Sequence, residues 1–168
     1  MTNATSRSLT VTWDDPMISA RAAKTMSGME FLQAMLAGEL PPPPVSRLIG
    51  QHPHSVEPGR VVFEISPGEQ HYNPIGAVHG GVITTILDSA MGCAVHSTLP
   101  AGVGYTTLEL KVNFVRAVTE QLGALRCEGK IINSGKRVVT VEAVLTDLTG
   151  KLYAHATSTC LILNSAGG

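Results

Sequence analysis

Excess charge of either sign is missing from this sequence. Twelve Lys and Arg against 13 Asp and Glu leave a formal net charge of −1 over 168 residues, so no basic field favours nucleic acid or an anionic membrane. Any anion bound here must be held by a local cluster. Cysteine is scarce too: Cys93, Cys127 and Cys160 are odd in number, far apart and without a C-x-x-C pair. That spacing supports neither a disulfide framework nor a cysteine zinc site, and each lies in an apolar or alternating stretch that suits a small buried thiol. The first residues, MTNATSRSLTVTWDDP, lack the apolar core of a secretory signal, and no hydrophobic run is long enough to span a membrane. These absences lead us to expect a cytoplasmic protein with no nucleic-acid and no membrane partner.

What is present describes a packed chain: 43% hydrophobic and 15% charged residues, in a length that suits one domain with a sizeable core. Residues 1 to about 15 are polar and expected to fray. In MSGMEFLQAMLAGEL, Ser27 and Glu30 fit a capping box, and Phe31, Leu32, Met35 and Leu36 form an apolar helical stripe. Pro41 to Pro44 are expected to stop that helix and to act as a stiff spacer; they could also serve as a polyproline ligand. Arg60 to Ser66 reads as a strand, with Pro67-Gly68 as a turn after it.

From Gly80 to about Ser97 the pattern is helical. Val82, Ile83, Ile86, Leu87, Ala90, Cys93 and Ala94 share one face, whereas Thr84, Thr85, Asp88, Ser89, Gly92 and His96 fall on the other. Asp88 therefore sits on a face of small and polar residues that something polar can approach. The period then changes to two: Leu108, Leu110, Val112 and Phe114 alternate with Thr107, Glu109, Lys111 and Asn113. Three further strands follow in LGALRCEGKII, KRVVTVEAVLTDL and KLYAHATSTCLIL. Turns at Asn133-Ser134-Gly135 and Leu148-Thr149-Gly150 suggest that consecutive strands pair antiparallel. The order (helix, strand, long helix, four strands) predicts an α+β fold with one helix on the inner face of an antiparallel sheet.

The segment HYNPIGAVHGGVITTILDSAMGCAV followed by these strands resembles the hotdog-fold thioesterases of the phenylacetate-pathway (PaaI-like) group. The shared pattern is N-x5-H-G-G-x6-D, here Asn73, His79, Gly80, Gly81 and Asp88, and the resemblance runs over roughly residues 60 to 163. It implies a hotdog fold, a long helix wrapped by a curved antiparallel sheet, with an extra N-terminal helix. The corresponding division is an N-terminal extension over residues 1–55 and a thioesterase domain over 56–165. It also implies a homodimer or homotetramer, with active sites at the subunit interface and the His-Gly end of one chain facing the acid of its neighbour.

Hydrolysing a thioester requires an activated nucleophile and a site for the negative oxygen that develops on the carbonyl. A helix N-terminus offers unsatisfied N–H groups and a positive dipole end, and glycine lets a ligand approach closely. Gly80 and Gly81 are the candidate donors, Gly80 first, as the family also has it. Asp88 is the candidate base or nucleophile. Asn73 would orient water or the thioester, and His79 would position the loop or substrate. Related enzymes carry a Ser or Thr that holds the water where Thr107 stands. The hydroxybenzoyl-CoA thioesterases place a hydroxyl one turn after the acid, where this chain has Gly92. For the coenzyme, Gly135, Lys136 and Arg137 follow Ser134 in a turn that could hold phosphates or be a polar hairpin.

The reading is an acyl-CoA thioesterase for aryl-acyl or medium-chain esters, with coenzyme A as part of the substrate and no separate cofactor. A metal at His52, His54 and His71 is set aside, because no acid or cysteine stands at ligand spacing. Two other functions fit the fold: a non-catalytic acyl-CoA sensor, and a hydratase or dehydratase of acyl thioesters.

Overall fold

In a computed structural model, residues 6–163 are described; the expected behaviour of residues 1–5 and the expected domain end at 165 lie outside them. Three short helices, α1 (Met17–Ala22), α2 (Gly28–Leu36) and α3 (Pro44–Ile49), precede strands β1 (Gln51–Glu57) and β2 (Arg60–Ile65). The long helix α4 (Gly80–His96) follows, then β3 (Gly104–Phe114), β4 (Leu125–Ser134), β5 (Val138–Asp147) and β6 (Leu152–Leu163). All pairings are antiparallel, in one six-stranded sheet of order β1-β2-β4-β5-β6-β3. This is the hotdog architecture, with α4 packed on the sheet and a short N-terminal helix beside it.

Alternation in the strands builds the inner face of the sheet. In β5 the buried positions are Val139, Val141, Ala143 and Leu145, every second residue. They meet Ile83, Ile86, Leu87, Ala90, Met91, Ala94 and Val95 of α4. Each fully buried Leu, Ile or Val contributes about 1.5–3 kcal/mol, so this face alone anchors the helix. Helix and sheet approach closely at Gly129 on β4, where a Cβ would fall 2.2 Å from the Ala90 carbonyl oxygen.

Several expectations need correction. β1, a strand not expected from the sequence, spans the 55/56 boundary and pairs with β2 along its length. β3 pairs with β6 and not with its chain neighbour β4. Hairpin partners are joined by about two to five residues, whereas residues 115–124 form a crossover that carries β3 to the far edge. Leu108 and Phe114, expected on the buried side of β3, are 56% and 55% exposed. A β-bulge between Thr107 and Glu109 is the reason for Leu108: one extra residue reverses the alternation, so Tyr105 and Thr107 face inward before it and Leu110 and Val112 after it. Leu36, expected on the apolar stripe of α2, is also exposed, at 43%.

The capping box of α2 forms as expected, Ser27 accepting from the Glu30 amide and the Glu30 carboxylate accepting from the Ser27 amide. The prolines do not end this helix. Gly38, with φ of +77°, turns the chain after Ala37, a left-handed conformation that glycine adopts without strain. Pro43 and Pro44 instead begin α3, where a fixed φ and a missing N–H do no harm.

Candidate active site

The loop before α4 is held at both ends. The Val78 amide donates to the Val118 carbonyl (2.9 Å) and the His79 amide to the His71 carbonyl (2.8 Å). Tyr72 Oη accepts from the Glu120 amide at 2.9 Å. Within the loop, Asn73 Oδ1 accepts from the Ile75 and Ala77 amides at 3.0 and 3.2 Å. The acceptor side of Asn73 is thus engaged in shaping the loop, and its amide N–H groups are what it can offer a ligand.

His79 is the N-cap of α4: its Nδ1 accepts from the Gly81 amide at 2.9 Å. This bond fixes the neutral ring with its proton on Nε2. It also engages the Gly81 amide, one of the two expected oxyanion donors. The Gly80 amide has no acceptor among the described residues. A Cβ at Gly80 would lie 3.1 Å from Phe114 Cζ, a tight contact with the tip of that side chain. The helix start therefore presents one open N–H, reinforced by the dipole of a 17-residue helix.

Two turns further on, Asp88 Oδ1 accepts from Thr107 Oγ1 at 3.0 Å. The bulge in β3 turns Thr107 toward α4, since regular alternation could not also direct Leu110 inward. Both residues line a cavity of about 220 Å³ with Ser89, Gln51, Phe63 and Tyr105. Tyr105 lies over Gly92, where a Cβ would fall 2.4 Å from its hydroxyl. Within the cavity wall, burial and then the nearby Asp88 push the Cys93 thiol up to about 12, so it stays protonated at neutral pH and is no competing thiolate. Burial likewise raises the Tyr105 phenol well above its ordinary range.

Gln51 escaped the sequence reading. It is 5% exposed, and its Nε2 donates to Ser46 Oγ (3.3 Å) and Ser89 Oγ (3.0 Å). Ser89 in turn donates to the Thr85 carbonyl at 2.8 Å. This chain of bonds ties α3, β1 and α4 together beside Asp88. Gln51 lies in the stretch assigned to the extension, and a single polar residue there carried no periodic signal.

The structure brings Asp88 and Thr107 together, and it separately groups Asn73, His79, Gly80 and Gly81. It does not join the two groups within one chain. Gly80 and Asp88 stand eight residues apart on one helix, about 12 Å along its axis. Gly135, Lys136 and Arg137 form an exposed turn, with the Gly135 amide donating to the Val138 carbonyl at 2.9 Å. Register places that turn on the cavity's side of the sheet: Thr107 pairs with Cys160, Cys160 with Val139 and Val139 with Ser134. Three strand spacings put Ser134 about 14 Å from Thr107. His52 and His54 face Glu64 at 3.9 and 3.8 Å. Among the described residues, no His, Cys, Asp or Glu side chains cluster as a metal site, and no helix is long and apolar enough to cross a membrane.

A long helix on a curved antiparallel sheet, with an open helix-start amide and an acid lining a cavity, places the chain in the hotdog class. The family model of the thioesterase superfamily matches residues 75–154. A protein of Saccharolobus solfataricus provisionally named an esterase is 34% identical over 111 residues, which is 66% of this chain and 77% of that protein. Acyl-coenzyme A thioesterase 13 of Homo sapiens is 29% identical over 107 residues, 62% of this chain and 74% of its own length. The crystal structure of a phenylacetic acid degradation-related protein from Ralstonia eutropha JMP134 superposes with a TM-score of 0.70 at 32% identity, covering 77% of this chain and 98% of that one. This chain belongs to the thioesterase superfamily.

Proposed function

We propose that this protein hydrolyses acyl-CoA thioesters of the aryl-acyl or medium-chain class. The observation that carries the reading is the Thr107–Asp88 hydrogen bond of 3.0 Å at an apolar cavity. Thr107 donates its hydrogen bond to the carboxylate, so its oxygen is left to accept from a water beside the pair that also donates to Asp88. Asp88 takes a proton from that water, and the oxygen attacks the thioester carbonyl carbon. The carbonyl oxygen becomes an oxyanion held by the Gly80 amide. Collapse of the tetrahedral intermediate breaks the C–S bond, and the CoA sulfur leaves as the thiol by taking the proton held on Asp88, which restores the carboxylate. One such amide donor contributes about 3 kcal/mol. Direct attack by Asp88, giving a mixed anhydride that water then opens, uses the same atoms.

A reacting carbon must stand about 3 Å from both the nucleophile and the oxyanion donor. With about 12 Å between Gly80 and Asp88 in one chain, the reading requires the Gly80 end of a second copy, as in a homodimer or a homotetramer. The edge of β3, unpaired among the described residues, with its exposed Leu108 and Phe114 and the following Val115, offers a surface for that copy. Lys136 and Arg137 are the candidate contacts for the coenzyme phosphates.

Thiol release from a panel of CoA esters tests this. Asp88→Asn should lower kcat at least a hundredfold while leaving the melting temperature within about 2 °C. Unchanged turnover rejects the mechanism. Tight ester binding without thiol release from the unaltered chain identifies a sensor, and addition of water to an enoyl-CoA identifies a hydratase.

A further inference from the structure

The N-terminal segment has no place in the chemistry above, yet it walls the site. A second cavity, of about 270 Å³, is lined by Ser19, Phe31 and His96 together with Leu32, Met35, Pro43, Cys93 and Tyr105. Those last five also line the cavity that holds Asp88 and Thr107. The two spaces thus lie end to end on α4, passing from Asp88 and Ser89 to Cys93 and then to His96. Helix α2 and the proline run form the opposite wall, and Ser19 Oγ of α1 donates to the Pro41 carbonyl at 2.7 Å, which fixes α1 to that wall.

We infer that residues 19–43 roof a channel for the acyl tail, which leaves the thioester at Asp88 and runs along α4 to Phe31 and His96. The inference rests on the acyl-CoA reading and adds what the extension does: it measures chain length. Asp88 and His96 are eight residues apart on α4, about 12 Å along the axis. An extended chain advances about 1.2 Å per bond, from the 3.3–3.6 Å spanned by three backbone bonds. About ten carbons therefore reach His96, and beyond that point α4 ends and further methylenes return to water. The lining suits such a tail. Phe31 and His96 meet edge to face with ring centroids 5.5 Å apart, and burial lowers the His96 pKa, which keeps the ring neutral.

Binding of S-alkyl-CoA thioethers, which cannot be hydrolysed, to the full chain tests the channel by calorimetry, alongside thiol release from the matching esters. The Kd should tighten up to about fourfold per added carbon, the value of a buried methylene, and level off near ten carbons. Phe31→Trp should move the plateau at least two carbons shorter, and Phe31→Ala at least two longer. Opposite shifts at one position are not what misfolding produces. Ser19→Leu, at a second position of the same wall, should shorten the plateau like Phe31→Trp. Thiol release with the same length profile in every variant overturns the channel and leaves the hydrolase reading standing. Length-dependent binding that shifts as expected, without thiol release, supports the channel and rejects hydrolysis. Absence of binding at every length overturns it.

Discussion

Gly129→Ala probes how closely α4 must lie on the sheet. The added Cβ would stand 2.2 Å from the Ala90 carbonyl oxygen, 2.3 Å from its carbon and 2.7 Å from the Met91 nitrogen. These are backbone atoms of the central helix, with no rotamer to yield. Gly129 is itself held on both sides, by Val61 and Ala143. Ordinary contact begins near 3.4 Å, so α4 must retreat by about 1 Å, and close-packed interiors resist such shifts. Overpacking with no soft partner costs about 3 kcal/mol. For a domain of this size that lowers the melting temperature by about 6–12 °C. Asp88 precedes Ala90 by two residues, so the same retreat stretches its bond to Thr107, and a 1 Å misplacement costs about a hundredfold in rate. Thermal denaturation followed by circular dichroism, with thiol release at 20 °C on the folded fraction, measures both. A melting temperature within 2 °C of the unaltered protein refutes the close-contact reasoning.

Two further outcomes follow from single groups. Thr107→Val keeps the shape and removes the donor to Asp88; a hydrogen bond to a charged group contributes about 1.5–3 kcal/mol, so kcat should fall about ten- to a hundredfold. Thr107→Ser should restore most of it, and a kcat for the valine variant within twofold of the original would refute the role. Burial lowers the pKa of His71 and His96 in the folded chain, whereas the unfolded chain binds those protons near pH 6.5. Stability is then full above about pH 6.5 and declines as pH falls from there toward the lowered folded values. Urea midpoints at pH 7.5 and 5.5 check this, and a midpoint that holds or rises on acidification would count against it.

Much of the scaffold was legible in one dimension. The period of α4, the alternation of β4 to β6 and the Ser27–Glu30 box depend on neighbours one to four residues away, which a sequence displays directly. The Asn73, His79-Gly80-Gly81 and Asp88 spacing was equally visible. Other features depended on residues far apart in the chain. The bulge that turns Thr107 toward Asp88 lies in the register of β3 on β6. The hydrogen bonds of Gln51 join three elements, and the engagement of the Gly81 amide by the His79 ring needs their mutual geometry. The proline run, a spacer in local pattern, forms part of a cavity wall, because only folding brings residues 19–43 over a helix that starts at Gly80.

By itself, then, the sequence determined which residue types stand at the helix start and on its small-residue face, since both follow from local periodicity. Only the tertiary structure decided which groups meet. A helix rises about 1.5 Å per residue, so Gly80 and Asp88 are held apart however close they look in the motif, while strand pairing carries Thr107 to the acid from nineteen positions away.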